Sequence, residues 1–131
     1  MRIRRAVIDA IVDHARRDSP LECCGLLIGS SDKVVECRAA RNLKASSVVY
    51  LVDPENHFEA IRHARAEGLA VVGAYHSHPR SAAEPSPTDI REANDADFVH
   101  VIVSLSDAEP QVAAFRIEDG RAIRLPLAID G

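Results

Sequence analysis

Apolar and polar residues recur along this chain with two periods, and the change from one to the other marks out its elements. Over residues 4–17, Ile8, Ile11, Val12 and Ala15 return at spacings of three and four, with Asp9, Asp13, Arg16 and Arg17 between them. This spacing predicts an amphipathic helix, which Asp18-Ser19-Pro20 stops. CCGLLIGS (23–30) reads as a buried strand, KVVECRAA (33–40) as an alternating one, and the β-branched SVVYLVD (47–53) as a third. Asp53-Pro54 then opens a helix, with proline at its favoured first position and Gly68 as its stop. Phe58, Ile61 and Ala64 or Arg65 are assigned to its inner face. LAVVGAY (69–75) is the most apolar strand and runs directly into His76-Ser77-His78-Pro79. Residues 79–87 read as a loop, followed by a short helix from Pro87 to Asp95. FVHVIVSL, QVAAFRIE and RAIRLPLAI close the chain as strands, with a turn at Asp119-Gly120. Because the last three strands follow one another without a helix, the order predicts an α/β (α+β) fold. Its sheet is expected to be mixed, largely antiparallel and flanked by helices, not doubly wound and parallel.

At 131 residues one domain spanning 1–131 is expected, large enough to bury a core. Charge removes several function classes. The net charge is −4 and no basic stripe stands out, which argues against a nucleic-acid partner. The basic MRIRR start is followed by no long apolar segment, so neither an export signal nor a membrane span is expected, and the cytosol is the default location. Cys23, Cys24 and Cys37 form no CxxC pair, and their odd number argues for free thiols. All three read as buried small apolar side chains.

The candidate chemistry sits in YHSHPRSAAEPSPTDI (75–90). On an extended strand end, His76 and His78 point to the same face, and the proline that follows keeps His78 extended. Two such imidazoles can chelate one metal ion, or they can simply be solvated. The 79–88 loop is long enough to bring Asp89 back to the same ion. Two histidines and a carboxylate suit zinc and leave the fourth position open, the mark of a catalytic site. Ser86 and Asp89 have a second reading as helix-capping residues, with Pro87 at the first helical position. For a general base, local reasoning slightly favours Glu84, within the loop. His14 and His63 are expected on exposed helix faces, and His57, at a helix start, and His100, in a strand, are read as structural or surface residues.

The string as a whole is more specific than its parts. His76-Ser77-His78-Pro79, six residues, Ser86, two residues and Asp89 resemble the signature of the JAMM metalloproteases, the catalytic branch of the MPN/JAB domain family. Pro20-Leu21-Glu22-Cys23-Cys24-Gly25-Leu26-Leu27-Ile28-Gly29 resembles the family's upstream motif, in which a catalytic glutamate stands three residues before a glycine. The resemblance covers nearly the whole chain. It implies that His76, His78 and Asp89 hold one zinc ion, that Glu22 is the general acid/base in preference to Glu84, and that Ser86 stabilises the oxyanion. It further implies hydrolysis of an amide or isopeptide bond at the Gly-Gly tail of a ubiquitin-like protein. The short chain is similar to compact bacterial and archaeal members that process small ubiquitin-like sulfur carriers. Rival readings are a non-catalytic MPN scaffold, which lacks the metal ligands, and a peptidoglycan or other peptide hydrolase using the same site. A zinc nucleobase deaminase fits poorly, since His-x-Glu and Pro-Cys-x-x-Cys are missing.

Overall fold

The computed structural model describes residues 1–131. In chain order the elements are β1 (Arg2–Arg4), α1 (Arg5–Asp18), β2 (Cys24–Ser30), β3 (Lys33–Ala40), α2 (Pro54–Ala66), β4 (Ala70–His78), α3 (Pro87–Glu92), β5 (Val99–Ser104), β6 (Gln111–Glu118), β7 (Arg121–Leu125) and β8 (Ala128–Asp130). The eight strands form one sheet in the order β7-β6-β5-β4-β2-β3-β1-β8. Its β1–β3, β1–β8 and β4–β5 pairs are parallel and the other four antiparallel, so the sheet is mixed, as the order of elements predicts. The strands at its two edges, β7 and β8, are joined only by Pro126-Leu127. A link that short spans about 10 Å, so the two edges must approach one another and the sheet curls.

The curl wraps α1. Ile8, Ile11 and Ala15 of the predicted face of α1, joined by Val7 and with Val12 half-buried beside them, pack against Ile3, Cys23, Leu27, Val34, Tyr75, Val99, Val101 and Val103. The opposite face of the sheet carries α2, where Ala60 and Ala64 pack on Leu26, Ile28 and Ala74. Strand alternation therefore sends Tyr75 toward α1 and its neighbours Ala74 and His76 toward the other side. Gly25 lets Tyr75 lie flat on β2, because a Cβ at this position would collide with the phenol ring.

Several expectations need correction. Segment 47–53 is not a strand; only Val52 forms a bridge, to Asn42. Its β-branched residues find no strand alongside, and Val49 and Leu51 bond instead to the Asn42 side chain. The inner face of α2 is set by Ala60 and Ala64, while Phe58 and Ile61 are exposed, because small residues let the helix approach the sheet closely. The expected strand 121–129 is split at Pro126 into β7 and β8, and β1 adds a short strand not foreseen. The helix begun at Pro87 ends at Glu92, not at Asp95. No helix is long and apolar enough to cross a membrane.

His14 is buried, not exposed. Its Nδ1 lies 2.8 Å from the Tyr75 hydroxyl and its Nε2 3.1 Å from Asp18 Oδ2. Asp18 can only accept, so neutral His14 donates from Nε2 and accepts the Tyr75 proton at Nδ1. Burial lowers its pKa, opposed by Asp18 and assisted by Arg17. The unfolded chain then binds the extra proton more readily, so His14 should cost stability as pH falls below its unfolded value of about 6.5. Urea midpoints at several pH values are expected to fall more steeply on the acid side for wild type than for His14→Gln. Equal slopes would refute this assignment.

Candidate active site

The site is built where β4 ends beside the start of β2. Cys24 pairs with His76 in the antiparallel register, which carries Glu22, two residues upstream, over the end of β4. Ser77 secures this crossing. Its Oγ accepts from the Cys23 N–H at 2.8 Å, and its own N–H donates to the Cys23 carbonyl at 3.1 Å. The parallel partner β5 supports the other side, with Ile102 opposite His76 and Ser104 opposite His78. Ser104 donates to the Ser81 carbonyl and so pins the loop after Pro79.

That loop returns Asp89 to the histidines. His76 Nε2 and His78 Nε2 are 3.1 Å apart, and Asp89 Oδ2 lies 3.0 Å from the first and 3.3 Å from the second. All three groups are almost fully removed from solvent. His78 Nδ1 donates to the Ala82 carbonyl at 2.8 Å, which leaves Nε2 of the neutral ring as a bare lone pair. A lone pair facing a carboxylate at 3.3 Å is favourable only with positive charge on the ring or between the two. Ring nitrogens held about 2.0–2.1 Å from one tetrahedral ion lie about 3.3 Å apart, close to the edges of this triangle.

Glu22 completes the group. Its ligand atom lies within 4.8 Å of those of His76 and His78, a cluster able to hold a metal ion. Oε1 of Glu22 is buried with no hydrogen-bond partner. Burial pushes its pKa up to about 7; His78 pulls it down and Asp89 pushes it up. Asp89 behaves in the opposite way. Burial alone would raise its pKa, but His76, hydrogen-bonded to it, and the adjacent His78 hold the carboxyl far below the usual range. Burial lowers the pKa of His76.

Ser86 and Asp89 also cap α3: Ser86 Oγ accepts from the Asp89 N–H at 3.0 Å, and Asp89 Oδ2 accepts from the Ser86 N–H at 2.8 Å. Asp89 Oδ2, the atom that faces the two histidines, is therefore also part of the cap of α3. Glu84, favoured by local reasoning, is exposed on the loop, whereas Glu22 is 4% exposed. Cys23 and Cys24 are buried and, with Cys37, are free thiols whose pKa values burial raises. His57 starts α2, His63 pairs with Glu36 at 2.8 Å, and His100 lies on β5 with its Nε2 buried and unpartnered. Tyr50 was not singled out by the sequence. It stacks on His76, with ring centroids 4.3 Å apart and planes 21° from parallel. Only its place in a β-branched run was visible, and that suggested a strand.

Residues 4–118 match the family of prokaryotic homologues of the JAB domain. The chain is 33% identical to the CysO-cysteine peptidase of Mycobacterium tuberculosis over 130 residues, covering 97% of this chain and 89% of that protein. It is 38% identical to a desampylase of Haloferax volcanii over 103 residues, covering 73% of this chain and 74% of that protein. The solution structure of a Desulfitobacterium hafniense protein superposes with a TM-score of 0.90 at 28% identity, covering 98% and 92% of the two chains. The fold, the Glu22–His76–His78 cluster and these matches lead to one assignment: the chain belongs to the prokaryotic JAB-domain family.

Proposed function

We propose that this chain is a zinc-dependent metallopeptidase that cleaves an amide or isopeptide bond at the C-terminal Gly-Gly tail of a ubiquitin-like protein of the sulfur-carrier class. The observation that carries the proposal is the buried Glu22 carboxyl, with its pKa near 7 and an unpartnered Oε1, beside the His76–His78–Asp89 triangle. The names of the peptidase and desampylase relatives support the same substrate class.

The residues present fit zinc. His76 Nε2, His78 Nε2 and Asp89 Oδ2 would hold it, and the Ala82 carbonyl fixes the His78 tautomer that such ligation needs. Zinc in such a site lowers the pKa of water toward neutrality and polarises a carbonyl oxygen. Glu22 sits farther back than Asp89, as suits a proton carrier rather than a ligand. A carboxyl with a pKa near the working pH takes and returns protons efficiently. Glu22 accepts a proton at Oε1 as water attacks the scissile carbonyl, then delivers it to the departing amine. The Ser86 oxygen is engaged by the Asp89 N–H, but its own hydrogen is free to be donated to the developing oxyanion. A donor of that kind is worth about 10²–10³ in rate.

The test is a cleavage assay on a ubiquitin-like carrier protein bearing one amino acid after Gly-Gly, run beside peptidoglycan-derived peptides. Metal-loaded protein is expected to release the terminal amino acid and to stop when a chelator strips the metal. Cleavage of the wall peptides alone would move the assignment to the peptidoglycan hydrolase reading. No hydrolysis of either, with metal bound, would favour a scaffold.

A further inference from the structure

The loop between β3 and α2 supplies no ligand or proton carrier to the site, yet it touches both halves of it. Asn42 stands at its base and uses its whole hydrogen-bonding capacity. Nδ2 donates to the Glu22 carbonyl at 3.0 Å and the Val49 carbonyl at 3.3 Å; Oδ1 accepts from Lys44 N–H at 3.0 Å and Leu51 N–H at 2.9 Å. The loop reaches Glu22 a second time, since the Ser46 carbonyl accepts the Glu22 N–H at 2.7 Å. Both peptide groups of Glu22 are thus held by one short segment. The same segment lays Tyr50 on His76.

The two histidines are held differently. The His78 ring is fixed by a hydrogen bond from Nδ1 to Ala82. The side-chain hydrogen bonds of His76 run through Nε2 alone, so no hydrogen bond on its far side sets the ring plane, and the face of Tyr50 lies stacked against it. Groups that orient a metal-binding imidazole from behind are usually hydrogen-bond acceptors. Here an aromatic face takes that place.

Resting on the metallopeptidase reading, we infer that the 41–53 loop is a positioning clamp, locked by Asn42, in which the Tyr50 ring sets the plane of His76 for metal binding and the backbone sets Glu22. Tyr50 and Asn42 are positioning residues; neither transfers a proton or binds the ion. The clamp therefore ties metal affinity and proton transfer to one segment.

Three variants separate the parts. Tyr50→Phe keeps the ring face and removes only the hydroxyl. Tyr50→Leu keeps apolar bulk and removes the face. Asn42→Ala releases the whole loop. Zinc affinity is measured by competition with a chromophoric chelator, and kcat is measured at saturating zinc. An aromatic stacking contact corresponds to about three- to tenfold in affinity. Tyr50→Leu is expected to bind zinc weaker by about that factor, with Tyr50→Phe like wild type. At saturating zinc, Tyr50→Leu should recover most of its kcat, while Asn42→Ala should not, because Glu22 is also loosened. Zinc affinity unchanged in Tyr50→Leu, or lowered equally in Tyr50→Phe, would overturn the clamp. If Asn42→Ala does not fold, the Tyr50 pair decides alone. A wild type that takes up no zinc would overturn the metallopeptidase reading itself, and the clamp with it.

Discussion

Glu22→Gln is expected to retain one zinc per chain and to lose about 10²–10⁴-fold in kcat. The substitution preserves the volume of a buried side chain and leaves His76, His78 and Asp89 in place. What it removes is the ability of Oε1 to take up a proton. In the wild type that ability is tuned by burial, which brings the carboxyl to about 7. The amide also places an N–H₂ group where a bare oxygen had faced the site, so it cannot accept on both arms. Elemental analysis and turnover on the same preparation check the prediction. Metal retained with full activity would take Glu22 out of the chemistry and leave exposed Glu84 as the remaining carboxylate of the loop.

Asp89→Ala is expected to empty the site, taking zinc from about one per chain to near none and activity with it. Asp89 Oδ2 serves three partners at once: His76, His78 and the Ser86 N–H. Its removal leaves two buried imidazoles 3.1 Å apart with no anion between them. It also leaves the first turn of α3 short of an acceptor, worth about 0.5–1.5 kcal/mol of stability. Asp89→Asn separates the two effects, because its amide oxygen still accepts from Ser86 while its charge is gone. Metal content and thermal unfolding read them independently. Zinc bound as tightly in Asp89→Ala as in wild type would sink Asp89 as a ligand and turn attention to Glu22 as the third donor.

The parts of this site that lie close in sequence were legible in it. His76 and His78 share a face because strands alternate, and Ser86 and Asp89 obey local capping rules. Glu22 was legible only through resemblance, since its position depends on β2 pairing with β4, a contact some fifty residues away that no local pattern encodes. The segment around Tyr50 misled for a related reason. Its residues suit a strand, but a strand needs a neighbour, and the Asn42 side chain took that place. The inner face of α2 was legible only in part: Ala64 lies on it as expected, but the large apolar Phe58 and Ile61 were taken as buried where close packing on the sheet selected Ala60. His14 was read as a surface residue because a polar ring on a helix has no visible partner until Tyr75 arrives from β4.

The alternation along β4 has a consequence for descent. Tyr75 and Ser77 belong to the α1 side and the β2 tether, while His76 and His78 belong to the site. Inheritance can therefore alter the second pair without disturbing the first. On the metallopeptidase reading, a lineage that exchanged both histidines would forfeit the metal and keep its architecture, and a later reversal would find the scaffold still in place. On that same reading, catalysis is a removable layer on a strand whose other residues hold the fold together.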